Sequence, residues 1–149
     1  MGSYVRMKVA AEAYAMPVEH VLEAAGLGRV RAVPGARREL LGIRTLRGQI
    51  LPVVDLARLL GVHRTSAPTR LLVAEARGFR VGFAIDEVNG IGDLGDLAEL
   101  GETGQTGELG MPAEGTESGF LAGATLSDGE LVGVLDVPRV FDSLDGTRR

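Results

Sequence analysis

A chain of 149 residues with 45% hydrophobic and 24% charged side chains is long enough to bury a core and too apolar for wholesale disorder. The absence of cysteine excludes a disulfide framework, a thiol nucleophile and every cysteine-ligated zinc or iron–sulfur site, and His20 and His63 alone leave little material for a histidine metal centre. The formal charge of −4 is unevenly placed, with net +6 over residues 1–74 and net −10 over residues 75–149, a feature that bears on partners rather than on fold.

In chain order, residues 4–9 alternate strictly, with Val5, Met7 and Val9 on one face and Arg6 and Lys8 on the other, which predicts a half-buried strand. Residues 13–18 read as its hairpin partner, with the turn near Glu12. After Pro17 the apolar positions Val18, Val21, Leu22 and Ala25 follow helical spacing, so a short helix stopped by Gly26 is expected. Arg29 to Val33 is extended and broken by Pro34-Gly35. Strands at 40–46 and 49–54 form a hairpin across Arg47-Gly48, and Asp55 caps a short helix with Leu56, Leu59 and Leu60 inward and Gly61 closing it.

After the loop at 65–68, strands at 70–76 and 79–88 meet at Arg77-Gly78. Residues 89–119, with nine glycines and mostly acidic polar residues, read as a long loop. Strands at 120–126 and 130–137 follow, joined across Ser127-Asp128-Gly129, and then a helix opening at Pro138. Many short strands with turn residues between them favour barrels over a βαβ sheet.

The order of features repeats. Thr45-Leu46, a turn and VVDLARLL at 53–60 recur as Thr125-Leu126, a turn and VLDVPRVF at 134–141, with Asp55 and Arg58 matching Asp136 and Arg139. The offset of 81 after the turn and 80 before it implies a second turn one residue longer. Earlier, MPVEHV at 16–21 resembles FAIDEV at 83–88. Two copies of one unit predict two small barrels packed together, about 4–62 and 69–144, within a single domain. The repeated aspartates then need no role beyond capping.

Catalytic signals are weak. Gly90-Ile91-Gly92-Asp93-Leu94-Gly95 spells a dinucleotide fingerprint, but no amphipathic helix follows and Asp93 and Asp96 repel a pyrophosphate. Glu19, Glu23, Asp86 and Glu87 have no accompanying nucleophile or ligand, so no catalytic residue, cofactor or metal site is expected. The nine acidic residues from Asp86 to Glu117 match no calcium loop. Arginines 29, 31, 37, 38, 44 and 47 could track phosphates, giving an alternative reading as a small-barrel nucleic-acid binder, yet no aromatic residue is interleaved for base stacking. No apolar run approaches the ~20 residues of a membrane span, and no secretory signal opens the chain, so a cytoplasmic protein without membrane insertion is expected.

The block LLGIRTLRGQILPVVDLARLLG at 40–61 resembles the signature of the CheW family of chemotaxis coupling proteins. AYAMPVEHVLEA at 13–24, VGFAIDEV at 81–88 and FLAGATL at 120–126 are similar to further family segments, so the resemblance spans about residues 4–144. It implies an all-β fold of two five-stranded SH3-like barrels and a non-enzymatic adaptor. The partners it implies are the cytoplasmic tip of a methyl-accepting chemoreceptor and the regulatory domain of a CheA-type histidine kinase, at membrane-associated receptor arrays. By position, Val21, Glu23 and Arg47 fall where the family has residues implicated in coupling, and Gly42 matches the glycine before the hairpin. Val21 is then either an apolar anchor or a core residue, and Arg47 either a pairing group or a solvated turn residue. Thr45 stands where the family usually has asparagine, and residues 95–118 are unusually rich in glycine and acid.

Overall fold

Alternation makes β1 (Tyr4–Val9) a strand with one dry face, on which Val5, Met7 and Val9 are buried. The computed structural model describes residues 2–94 and 118–145. A two-residue turn at Ala10-Ala11, with φ of 52° and 75°, leads into β2 (Glu12–Pro17), so this turn lies just ahead of the expected position. The other hairpins join β4 (Leu40–Leu46) to β5 (Gln49–Asp55), β6 (Arg70–Ala76) to β7 (Phe79–Ile85), and β9 (Leu121–Ser127) to β10 (Glu130–Leu135). All use two-residue turns with positive φ, at Arg47-Gly48, Arg77-Gly78 and Asp128-Gly129.

Two helices close the halves. In α1 (Leu56–Leu60) the Asp55 carboxylate accepts from the Ala57 amide at 3.1 Å, and Gly61 ends the helix at φ 75°. In α2 (Val137–Ser143) Asp136 accepts from the Arg139 amide at 3.2 Å. Arg58 and Arg139 each approach their capping aspartate, at 3.5 and 3.6 Å, so the repeated Asp and Arg do the same local work in both halves.

Three expectations for individual elements change. The segment after Pro17 is not a helix but a 3-10 turn at Val18–His20 followed by β3 (Val21–Gly26). Eight residues fit either period, and pairing decides: β3 lies antiparallel to β6 from Val21 opposite Ala74 to Gly26 opposite Arg70. The single strand expected at 79–88 breaks at Asp86, and β8 (Glu87–Gly92) continues into the glycine-rich segment to pair with β1. Gly90 and Gly92 are therefore strand residues, while Gly95 and the rest of the expected loop through residue 117 lie outside the described residues. Finally, the β4–β5 and β9–β10 turns are equally long, so equivalent positions stand 81 apart on both sides of them. Gly42 corresponds to Gly123, beside bulges that recur in both hairpins, and the Thr-Leu match at offset 80 is not a structural equivalence.

The strands form two five-stranded sheets, β8-β1-β2-β10-β9 and β3-β6-β7-β5-β4. The sheets do not follow the expected division at residues 62 and 69. The first hairpin joins the strands of the second half, and β3, β4 and β5 join β6 and β7. Parallel pairing of β2 with β10 and of β5 with β7 stitches the halves together. The largest core lies between the sheets, where Val5, Met7 and Met16 of one meet Leu72, Phe83 and Ile85 of the other, with α1 and α2 packed in. Phe141 of α2 stacks edge-on against Phe79 and Phe83, at 5.2 and 6.0 Å between centroids. Each sheet carries a smaller cluster on its other face, around Leu51, Val53, Leu71 and Val73 in one and Ala15, Val132 and Val134 in the other.

Candidate functional site

The second sheet gathers the residues singled out above. β3 is its edge strand, and a bulge between Val21 and Glu23 interrupts the pairing with β6. Val21 turns inward against the shared core and is half-buried, whereas Leu22 at the bulge is 45% exposed. Helical spacing places Leu22 among the inward positions, and only the strand pairing turns it out.

Glu23 and Arg47, 24 residues apart, meet directly. The Arg47 guanidinium donates from Nη2 to Glu23 Oε1 at 2.7 Å. Arg47 occupies the first turn position at φ 51°, so the hairpin tip projects its side chain, 68% exposed, over the start of β3. The pair thus presents a charge of each sign beside Leu22 on an accessible edge.

Gly42 is not part of that surface. Its backbone lies against the segment before β4, where Arg31 and Ile43 exchange two backbone hydrogen bonds of 2.8 and 2.9 Å. A Cβ on Gly42 would stand 2.0 Å from the Arg31 carbonyl oxygen, and φ is +152°. The glycine permits the close approach that closes this side of the sheet.

Three of the six arginines of the basic segment are occupied within the fold. Arg37 donates to the Ser143 carbonyl and approaches Glu39, Arg44 donates to the Gly26 carbonyl, and Arg47 holds Glu23. The carboxylates do not converge: Glu19 lies beside His20, Asp86 is bound by Arg64, and Glu87 accepts from Asn89. His20 is half-buried near the Glu75 carbonyl, at 3.4 Å, and His63 is exposed. Among the described residues no cluster of three or more histidine and acidic side chains is placed to hold a metal ion, and no helix is long and apolar enough to cross a membrane.

The family profile for the CheW-like domain matches residues 3–145. The chain belongs to the CheW-like family. It is 32% identical over 81 residues to the chemotaxis protein CheW of Thermotoga maritima, covering 54% of each chain. It is 35% identical over 78 residues to the protein FrzA of Myxococcus xanthus, covering 51% of this chain and 49% of that one. The chain thus spans about half the length of the curated relatives it matches. The crystal structure of the scaffolding protein TtCheW from Thermoanaerobacter tengcongensis superposes with a TM-score of 0.74 at 21% identity, covering 91% of this chain and 88% of that one. That likeness bears out the all-β fold of two five-stranded units.

Proposed function

We propose that this CheW-like chain is a non-catalytic adaptor that couples the cytoplasmic tip of a chemoreceptor to the regulatory domain of a CheA-type histidine kinase. The observation that carries the reading is the edge of β3, where exposed Leu22 lies beside the Glu23–Arg47 pair. An apolar knob beside paired charges suits recognition of a helical partner, with the leucine entering a groove and the charges fixing register. The names of the relatives, chemotaxis and scaffolding proteins, support the same reading. A bridge of this kind transmits signal by contacting two states of the kinase unequally.

The test is calorimetric titration with the regulatory domain of a histidine kinase and with a receptor-tip fragment from the same organism. Saturable binding of both, with at least one weakened about tenfold by Arg47→Ala or Leu22→Ala at unchanged stability, is the expected result. Failure to bind either refutes the adaptor reading. Binding indifferent to every change on this edge keeps the adaptor and discards the site, including Val21, Glu23 and Arg47.

A further inference from the structure

The chain passes between the two sheets twice, at β2–β3 and at β7–β8. The repeat makes these crossings equivalent at an offset of 67 residues, so Glu19, Glu75 and Arg77 correspond to Asp86, Lys8 and Ala10. They are not built alike.

At β7–β8, Asp86 is held on every side. Its amide donates to the Lys8 carbonyl at 3.0 Å, and its Oδ2 accepts from the Ala10 amide at 2.8 Å, tying it to the β1–β2 turn of the opposite sheet. Its Oδ1 accepts from Arg64 Nη1 at 2.8 Å, and its carbonyl from the Thr69 hydroxyl at 3.2 Å. Arg64 Nη2 donates to Asp55 Oδ1 at 2.7 Å, so one guanidinium joins the cap of α1 to the crossing. The Arg64 side chain is only 15% exposed and that of Asp55 4%. Burial works against the Arg64 charge, but the hydrogen bonds to Asp55 and Asp86 outweigh it, so the guanidinium holds its proton more tightly than a free arginine.

At β2–β3 these ties are missing among the described residues. Glu19 is 77% exposed and has His20 Nε2 at 3.6 Å rather than the amide of the facing turn. In place of the short bond from the Asp86 amide to Lys8, His20 Nδ1 stands 3.4 Å from the Glu75 carbonyl. The Val18 amide donates to Ser3, within its own sheet's side.

We propose that Arg64 is a positioning residue that locks the β7–β8 crossing, leaving the β2–β3 crossing as the place where the two sheets yield relative to one another. The geometry puts the start of β3, with Leu22 and Glu23, immediately after the yielding crossing. Movement there changes the presentation of the β3 edge while the opposite crossing stays fixed.

Native-state amide hydrogen exchange of the full chain tests this, with each rate corrected for its intrinsic value. In the wild-type protein the amides of Ala10 and Asp86 should be protected at least about tenfold more than those of Arg77 and Glu19, their equivalents at the β2–β3 crossing. In Arg64→Met, which keeps the apolar stem and loses the fork, protection at Ala10 and Asp86 should fall about tenfold with Val18 and Val21 unchanged. Arg64→Lys, whose single ammonium cannot fork to both carboxylates, should fall between the two. Equal protection at the two crossings of the wild-type protein overturns the proposal without any variant. So does a loss at Val18 and Val21 in Arg64→Met parallel to that at Ala10 and Asp86, which is the signature of general destabilisation.

Discussion

Gly42→Ala separates a structural glycine from a contact residue. The added methyl meets only backbone: the Arg31 carbonyl oxygen at 2.0 Å, its carbon at 2.6 Å and the Ala32 Cα at 3.0 Å. None of these can rotate away, so the segment at 31–32 must move by more than an ångström to restore ordinary contact. That movement breaks the two hydrogen bonds between Arg31 and Ile43, which contribute about 1 kcal/mol each. An alanine at φ +152° adds strain of about 1–3 kcal/mol. The sum is about 3–5 kcal/mol, a large part of the ~5–15 kcal/mol that holds a domain folded. Urea unfolding followed by far-ultraviolet circular dichroism measures it as a fall in midpoint at unchanged slope. A loss below about 1 kcal/mol would refute the reasoning and return Gly42 to the candidate contacts.

Smaller effects are expected elsewhere. The Glu23–Arg47 pair is exposed, so a double-mutant cycle on urea unfolding should give a coupling of only about 0.2–1 kcal/mol; a larger value would make the pair a structural clamp. Ala11 holds φ 75° with a Cβ, so Ala11→Gly should raise stability by up to about 1 kcal/mol, and a loss would show that the methyl packs usefully. Burial, and secondarily the charge of Glu12, pushes the Tyr14 hydroxyl up to about 12 from its ordinary 10. Below pH 10 both folded and unfolded states keep the proton and stability is unaffected by this group. Between pH 10 and about 12 only the unfolded state loses it, so stability should fall by about 2–3 kcal/mol across that window. Spectrophotometric titration showing a phenol near 12 that Tyr14→Phe removes checks the assignment.

The legible parts of the fold are those whose physics is local. Arg47-Gly48, Arg77-Gly78 and Asp128-Gly129 each announce a tight turn between alternating segments, and Asp55 and Asp136 announce helix caps. The β3 strand was not legible, because its pairing partner β6 begins 49 residues after β3 does and eight apolar-spaced residues fit a helix equally well. Strand exchange between the halves was hidden for a related reason. Periodicity tells which side chains seek a core, not which of two similar cores receives them. The candidate edge came into view through resemblance, which pointed to Glu23 and Arg47 but not to their contact or to Leu22. Arg64 carried no signal: its role exists only once Asp55 and Asp86, on different elements, are brought to either side of it.

The exchange of strands has a thermodynamic consequence that sequential barrels would not share. The core between the sheets holds twenty buried residues, against five and four in the clusters on the sheets' other faces, so most apolar burial belongs to neither unit alone. Residues 1–67 contain β1 and β2 without β8 and β10, and β3 without the β6 and β7 that separate it from β5. Such a fragment exposes the inner face of every strand it carries and cannot complete either sheet. It should therefore lack dispersed amide resonances, and mixing it with residues 68–149 should restore them in proportion to both concentrations. The intact chain should unfold in one transition, with circular dichroism and Phe141-region proton shifts changing together. Two separated transitions, or a folded fragment 1–67, would mean that each half is stabilised from within and that the shared core is a contact between finished units.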